Sequence, residues 1–142
     1  MVPVIKSIVG VILGVAIFVV VFVVGEALSA VLHPFPEDFN NTMEEVVEHV
    51  KKYPGWVLAL FIPIWALGVY ASVWIAKRIG GRVSGAVAGV LLVLLISYNM
   101  YLLPYPIWLK VGMMLAVVLA ALFALRIGNP AQPAATLRAE AD

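Results

Sequence analysis

The sequence contains no cysteine, and this absence excludes several kinds of site. Disulfide bonds, thiolate nucleophiles, cysteine-bound zinc and iron–sulfur clusters all need a side chain that the chain does not have. Charged residues are also scarce, at 12% of the 142 residues, against roughly a quarter in soluble domains. The formal net charge of +1 gives no reason to expect a nucleic-acid partner.

Apolar side chains, by contrast, make up 64% of the residues. A globule of this size buries only about two-thirds of the surface that its unfolded chain exposes, so it could not hide so much apolar surface from water. A lipid bilayer removes that difficulty, because its interior is itself apolar. The composition therefore predicts an integral membrane protein that contacts the lipid bilayer. We expect its fold to be all-α.

Four apolar runs are long enough to cross a bilayer, since about 20 residues at 1.5 Å each span roughly 30 Å of hydrocarbon. Charged residues, glycines and prolines separate these runs. We predict a four-transmembrane-helix bundle over residues 1–128 and a disordered cytoplasmic tail over residues 129–142. The predicted spans cover about residues 5–32, 56–76, 82–98 and 106–126.

A cleaved signal peptide is the alternative interpretation of the first span. Its apolar core, residues 8–24, is longer than the usual length of about 7–15 residues. Glu26 follows that core, and no small-x-small cleavage site is evident near Ala30. We therefore expect an uncleaved first helix.

A short amphipathic helix is predicted between the first two spans, over about residues 42–52. Thr42 and Glu45 have the spacing of a capping box, in which each side chain binds a backbone N–H at a helix start. Such a helix would lie on the membrane surface or cap the bundle. Its apolar residues recur at helical spacing among charged ones: Met43, Val46, Val47 and Val50.

The distribution of basic residues predicts the orientation of the chain. Cytoplasmic loops of membrane proteins carry an excess of Lys and Arg. We therefore expect both termini in the cytoplasm and the amphipathic helix outside it. The basic residues on the side of the termini are Lys6, Lys77, Arg78, Arg82, Arg126 and Arg138, and those on the other side are Lys51, Lys52 and Lys110.

Small residues recur along one face of each predicted span. Lipid does not drive helices together by hydrophobicity, so close backbone contact at small residues takes that role. Most of these faces are expected to pack within one chain, although some could contact a second copy. The predicted packing residues are Gly10 and Gly14; Gly68, Ser72 and Ala76; Gly81, Gly85 and Gly89; and Ala116, Ala120 and Ala124.

Three polar residues are predicted to reach a similar depth near the outer rim of the membrane. Counted from the basic end of each span, helical rise places Glu26 about 30 Å, Asn99 about 26 Å and Lys110 about 24 Å away. His33 follows on the face of Glu26. A charge near hydrocarbon is costly unless it is paired. The pattern predicts a Glu26–Lys110 pair that locks the bundle, a site for a proton, cation or solute, or simple snorkelling to water.

The sequence offers little that could carry catalysis. It has no nucleophile with a base, no paired catalytic acids and no nucleotide fingerprint. Glu45 and His49, four residues apart on one helix face, are weak candidates for a metal site, and a solvated polar face is the alternative. We expect no cofactor and no enzymatic activity.

Several short motifs give the chain a resemblance to known proteins. The resemblance covers most of residues 10–128 and implies a four-helix topology and a bacterial inner membrane, with no activity and no functional residues. The motifs that resemble this uncharacterised group of small bacterial inner-membrane proteins are Leu67-Gly68 through Ala76-Lys-Arg-Ile-Gly-Gly-Arg82, Leu103-Pro-Tyr-Pro-Ile-Trp108, and Gly25-Glu26 before His33-Pro-Phe-Pro36.

Two functional hypotheses follow from the sequence. The first is a non-enzymatic accessory or structural membrane protein that binds a partner, such as a larger membrane complex, through its acidic outer loop; self-association is an alternative. The second is a small oligomeric transporter or channel that uses the polar cluster of Glu26, Asn99, Lys110 and His33. The surroundings of Glu26 discriminate between them, because a dry pair with Lys110 favours scaffolding and a water-filled cavity favours transport.

Overall fold

The computed structural model describes residues 3–127, and within that range the chain forms five α-helices and no strand. Four of the helices are long and apolar enough to cross a membrane. The predicted all-α, multi-pass membrane bundle with one additional short helix is therefore confirmed. The predicted tail, with Arg138, lies outside the described residues. The helices are α1 Pro3–Leu32, α2 Met43–Lys51, α3 Gly55–Gly80, α4 Arg82–Leu102 and α5 Ile107–Arg126.

Two spans, α3 and α4, extend four residues further than the sequence predicted. Lys77 and Arg78 follow the apolar run and were expected to lie in the turn, but both belong to α3. The chain turns at Gly81 alone, whose φ of +88° is favourable only for glycine. The α3–α4 connection is therefore a turn of one residue, shorter than the charged turn that the sequence predicts.

The ends of the spans gather in two groups, because helices adjacent in sequence run antiparallel. At one end, named the hairpin end, the Gly81 turn lies beside the beginning of α1, where the Ser7 and Ser84 hydroxyl oxygens are 2.6 Å apart. The other end, named the capped end, carries α2 and the connection of residues 103–106. Of the four spans, α3 is central: it packs against α1, α4 and α5, whereas α1 and α5 do not contact each other.

At the hairpin end, α1 and α3 meet with backbone against backbone. A Cβ atom added to Gly10 would lie 2.8 Å from the Ala76 carbonyl oxygen. One added to Gly14 would lie 2.7 Å from the Ser72 carbonyl oxygen. Carbon and oxygen do not approach so closely without a clash, so both positions need glycine. The two glycines thus allow α1 and α3 to pack with their backbones in contact.

The other packing faces depart from this pattern to different degrees. A Cβ on Gly85 would lie 3.1 Å from the Val73 carbonyl oxygen, and Gly68 and Gly89 face side chains at 3.0 Å and 3.3 Å. Gly81, in contrast, has no atom within 4 Å of its Cβ position. The packing role predicted for Gly81 is therefore wrong, since this residue forms the turn.

The buried face of α5 also differs from the predicted stripe. Ala124 is buried as expected, but Ala116 and Ala120 are only half-buried. Larger side chains set the direction in which α5 meets the bundle, so the spacing of its alanines did not identify that face. The buried residues of α5 are Leu109, Met113, Val117, Ala121 and Ala124.

Lys77 joins the end of α3 to the end of α5. Its side chain is buried, and its Nζ donates hydrogen bonds to the carbonyl oxygens of Ala124 at 2.9 Å and Leu125 at 3.3 Å. It also donates to the carbonyl of Ile127. The last carbonyls of a helix have no partner within the helix and carry the negative end of its dipole. The Lys77 ammonium group thus supplies hydrogen-bond donors to the free carbonyl oxygens at the end of α5.

We predict that Gly14→Ala lowers the free energy of unfolding by about 1–3 kcal/mol, because the added methyl group must displace the backbone of α3. Gly55→Ala is the matched control, since the nearest atom to its Cβ position is 4.0 Å away. Thermal unfolding in detergent, followed by circular dichroism, measures both changes. Equal stability of the two variants would show that the α1–α3 contact is not tight.

Lys77→Met keeps the length of the side chain and removes its three donors. We expect a loss of about 1–3 kcal/mol in unfolding free energy, because the carbonyls at the end of α5 lose a buried partner. Lys110→Met is the control, since Lys110 is half-buried and its side chain makes no hydrogen bond with residues 3–127. The measurement is again thermal unfolding, and a loss no larger than that of the control contradicts the assigned role.

Candidate functional site

A cavity of about 230 Å³ lies at the capped end, bounded by α1, α3 and α4 and covered by α2. We name it the capped cavity. Glu26 is the one acidic or basic residue, histidine aside, among the side chains described around it. Its other polar residues are Asn41, His49 and Asn99. Aromatic side chains form much of the remaining wall: Phe22, Phe35, Tyr53, Phe61, Trp65 and Tyr105.

Glu26 lies on α1 one turn beyond Phe22 and is exposed at the edge of the cavity. Burial raises the pKa of Tyr105, and the nearby Glu26 carboxylate raises it further. Burial also raises the pKa of Tyr53, with Glu26 acting in the same direction. Both phenols are therefore protonated at neutral pH, and each keeps an O–H group that can donate a hydrogen bond.

Three buried polar atoms of the cavity wall have no hydrogen-bond partner among residues 3–127. They are Nε1 of Trp65, Oδ1 of Asn99 and Nε2 of His49. Leaving such an atom unsatisfied costs about 1–3 kcal/mol. Cavities lined by polar groups hold water or a polar ligand, whereas dry cavities are apolar. The polar groups of its wall therefore make the capped cavity suited to water or to a polar ligand.

A second cavity of about 210 Å³ adjoins the first, deeper between α1, α3 and α4. We name it the deep chamber. Phe22, Trp65 and Asn99 line both cavities, so the amide of Asn99 lies at their boundary. The other walls of the deep chamber are apolar: Phe18, Val19, Leu95 and Ile96. Val19 and Leu95 are also exposed on the surface of the bundle, so this chamber reaches the side that faces lipid.

A cluster of aromatic rings holds α2 over the capped cavity. The His49 ring lies 4.5 Å from the rings of both His33 and Phe35, and 5.2 Å from that of Tyr53. The Tyr53 hydroxyl is hydrogen-bonded to Ser29 of α1. We name His33, Phe35, His49 and Tyr53 the histidine–aromatic cluster. It is the contact through which the short helix closes the bundle.

The structure brings together only part of the predicted polar cluster. Glu26 and Asn99 line one cavity, and His33 lies above it in the histidine–aromatic cluster. Lys110 is not part of the cavity wall, and the possible Glu26–Lys110 pair does not form. Helical rise predicted that Glu26 and Asn99 lie near each other, and both line this cavity, but α1 and α5 do not touch.

Glu45 and His49, considered from their spacing as a metal pair, have separate partners instead. The Glu45 carboxylate accepts hydrogen bonds from the backbone N–H groups of Thr42 and Asn40, which hold its pKa below the usual range. The Thr42 hydroxyl accepts from the Glu45 N–H, so the predicted capping box is confirmed. His49 packs among aromatic rings.

Comparisons with family models, with curated proteins and with solved structures find no match. The chemistry of the capped cavity is thus the guide to function. It presents a carboxylate, phenol and indole donors, an amide and aromatic walls, without a nucleophile positioned beside a base. Such a set of groups can bind a small polar molecule.

We predict that docking of α2 weakens as pH falls. Burial lowers the pKa of His49, and His33 beside it acts in the same direction. The undocked histidine therefore binds more protons than the docked one, so docking is fully stable above about pH 6.5 and is progressively lost below it. Hydrogen exchange of the α2 amides between pH 5 and 8 measures this loss.

His49→Phe is the matched control for this pH dependence, because a phenyl ring keeps the stacking with Phe35 and cannot titrate. The protection factors of its α2 amides should stay constant as pH falls over the same range. A wild-type profile as flat as that of His49→Phe would contradict the role given to His49.

Proposed function

We propose that this chain is a small, non-enzymatic transporter protein that binds its solute in the capped cavity. The observation that carries the proposal is that Glu26 lines one cavity together with Trp65, Asn99 and His49, each of which has a buried polar atom without a partner among residues 3–127. A purely structural role favours a dry, paired Glu26, and no such pair supports it among the described residues. Polar groups inside a membrane bundle are generally functional.

Passage through the bundle is closed on the hairpin side in this conformation. Beyond the deep chamber, Val69 and Val73 are fully buried and the glycines of α1 touch the backbone of α3. This arrangement supports a binding site open toward the capped end and argues against an open channel. Transport then requires a second conformation in which the helices separate at the hairpin end.

The proposal includes an orientation and a location. Lys6, Arg78, Arg82 and Arg126 are exposed at the hairpin end, which supports cytoplasmic termini by the positive-inside rule. The capped cavity then opens to the outer side. The resemblance of the sequence motifs to small bacterial proteins supports an inner-membrane location.

Binding to a larger membrane complex is the second candidate. The segment before α2 and its first turn present Glu37, Asp38 and Glu44, all exposed and without an ion pair among residues 3–127. This acidic surface would suit a partner with a basic surface outside the membrane. It can coexist with solute binding, since the acidic side chains do not line the capped cavity.

Single cysteines test the proposed site directly, because the natural chain has none. In sealed vesicles, Asn99→Cys should react quickly with a small cationic thiol reagent added on the capped side. Met113→Cys is the control and should stay unreactive, since Met113 is fully buried in the core. Arg82→Cys should react only from the opposite side, which is the cytoplasmic side if the orientation is right.

Two results would count against the proposal. If Asn99→Cys reacts no faster than Met113→Cys, the capped cavity is not accessible to solutes. If Arg82→Cys and Asn99→Cys are labelled from the same side, the four-span topology fails together with the site.

A further inference from the structure

We infer that the solute is an organic cation, with an amine or quaternary ammonium group beside Glu26 and an apolar body in the deep chamber. The inference rests on the proposed solute-binding function and adds the chemical class of the ligand. It follows from the charge of the capped cavity, from the composition of its walls and from the position of the second chamber.

The charge of the site favours a cation. Glu26 is the one residue of fixed charge among the side chains around either chamber. His49 is neutral at neutral pH, because burial lowers its pKa. Lys110, the basic residue predicted at this depth, lies outside the cavity wall. The carboxylate at the membrane boundary therefore gains most from a ligand that supplies the missing positive charge.

The walls favour an organic cation over a metal ion. A hard cation such as Ca²⁺ takes 6–8 oxygen ligands. The capped cavity offers mainly rings instead: Phe22 and Phe61 stand around Trp65 with ring centroids 5.5 Å and 6.3 Å from its own. Aromatic faces attract ammonium groups, by about 0.5–2 kcal/mol each. The Asn99 carbonyl oxygen, which has no hydrogen-bond partner in the described part of the chain, can accept a hydrogen bond from an amine.

The deep chamber supplies room for an apolar body attached to the charged group. Its walls are apolar except for Asn99, which stands at the boundary between the two chambers. The two chambers, of about 230 Å³ and 210 Å³, together reach the range of about 300–1,000 Å³ found for small-molecule pockets. A charged head and an apolar tail thus match the order of the two chambers along α1.

Two sources share this chemistry. A soluble amphiphilic amine would enter from the capped end. A membrane lipid with an ethanolamine or choline head group would enter sideways between α1 and α4, where Val19 and Leu95 meet the lipid. Both would place a cationic nitrogen beside Glu26.

The test is isothermal titration of the purified chain in an uncharged detergent with three probes of graded chemistry. Benzyltrimethylammonium carries the charge and an apolar ring, tetramethylammonium carries the charge alone, and neopentylbenzene is the neutral carbon analogue. We expect saturable binding of benzyltrimethylammonium, weaker binding of tetramethylammonium and no saturable binding of the neutral analogue. Equal binding of the charged and neutral ring compounds would overturn the inference.

Glu26→Gln should weaken benzyltrimethylammonium binding about tenfold or more, which corresponds to roughly 1.4 kcal/mol. Glu44→Gln is the control with the same charge change, and it should bind normally, since Glu44 is exposed on α2 away from the cavity wall. Equal affinities of the two variants would contradict the role of Glu26. Circular dichroism checks that Glu26→Gln folds.

A second variant keeps the test decisive if Glu26→Gln fails to fold. Leu95→Trp narrows the deep chamber at a position exposed to lipid, so it should weaken benzyltrimethylammonium binding and leave tetramethylammonium binding unchanged. Equal effects on both probes would overturn the two-chamber arrangement. Added phosphatidylethanolamine separates the sources: it competes with the probe if the ligand is a lipid, and it does not if the ligand is soluble.

Failure of this inference differs from failure of the proposed function. If Asn99→Cys is accessible from the capped side but the cationic probes do not bind, the cavity is a solute site for another class of ligand. If Asn99→Cys is inaccessible, the solute site itself is absent, whatever the probes do.

Discussion

The backbone contact between α1 and α3 at the hairpin end sets the shape of the bundle. Gly10 and Gly14 let α1 lie directly on the carbonyl oxygens of Ala76 and Ser72, so the two helices are as close there as helices can be. Toward the capped end the same interface is filled by large rings. Phe18 and Trp65 meet edge to face at 6.4 Å, and Phe22 packs on Trp65 at 5.5 Å. Small residues thus fill this interface at the hairpin end and large rings fill it toward the capped end, and the two chambers are lined by those rings.

The position of Glu26 explains how a carboxylate can lie on an otherwise apolar helix. Glu26 lies at the capped end, where the chain between α1 and α3 folds back as α2. Water reaches that end, so the charge escapes the cost that it would have among lipid tails. The histidine–aromatic cluster covers the opening with rings that stack but leave the Nε2 atoms of His33 and His49 unsatisfied. This cover is therefore held mainly by ring stacking.

Different parts of the molecule were predictable to different degrees, for physical reasons. Hydropathy and length were sufficient to predict the membrane spans. In lipid, a helix is the main way in which a chain segment can satisfy its own backbone hydrogen bonds. Helical rise brought Glu26 and Asn99 to one depth, but rise says nothing about direction, and Lys110 proved to lie on a helix that does not touch α1. Trp65 was not singled out, although a buried indole needs an acceptor and an aromatic residue in mid-span can mark a cavity. The sequence identifies Lys77 only as one of the basic residues on the side of the termini. Its contacts with the end of α5 join residues 47 or more positions apart, a separation that no local pattern contains.

The two ends of the bundle differ in how they could move. At the hairpin end, glycine contacts hold α1 on α3, and the hydrogen bonds of Lys77 hold α3 to α5. Separation there must break a buried charge from its carbonyls, which is expensive in a medium without water. At the capped end, α2 is held by ring stacking and by the Tyr53–Ser29 hydrogen bond. Ring stacking is worth only about 0.5–1.5 kcal/mol per pair. Opening of the cover is therefore the easier motion, and admission of a solute from the capped side requires no change in the tight half of the bundle. In the proposed transport, release on the other side would require the helices to separate at the hairpin end and the Lys77 hydrogen bonds to break.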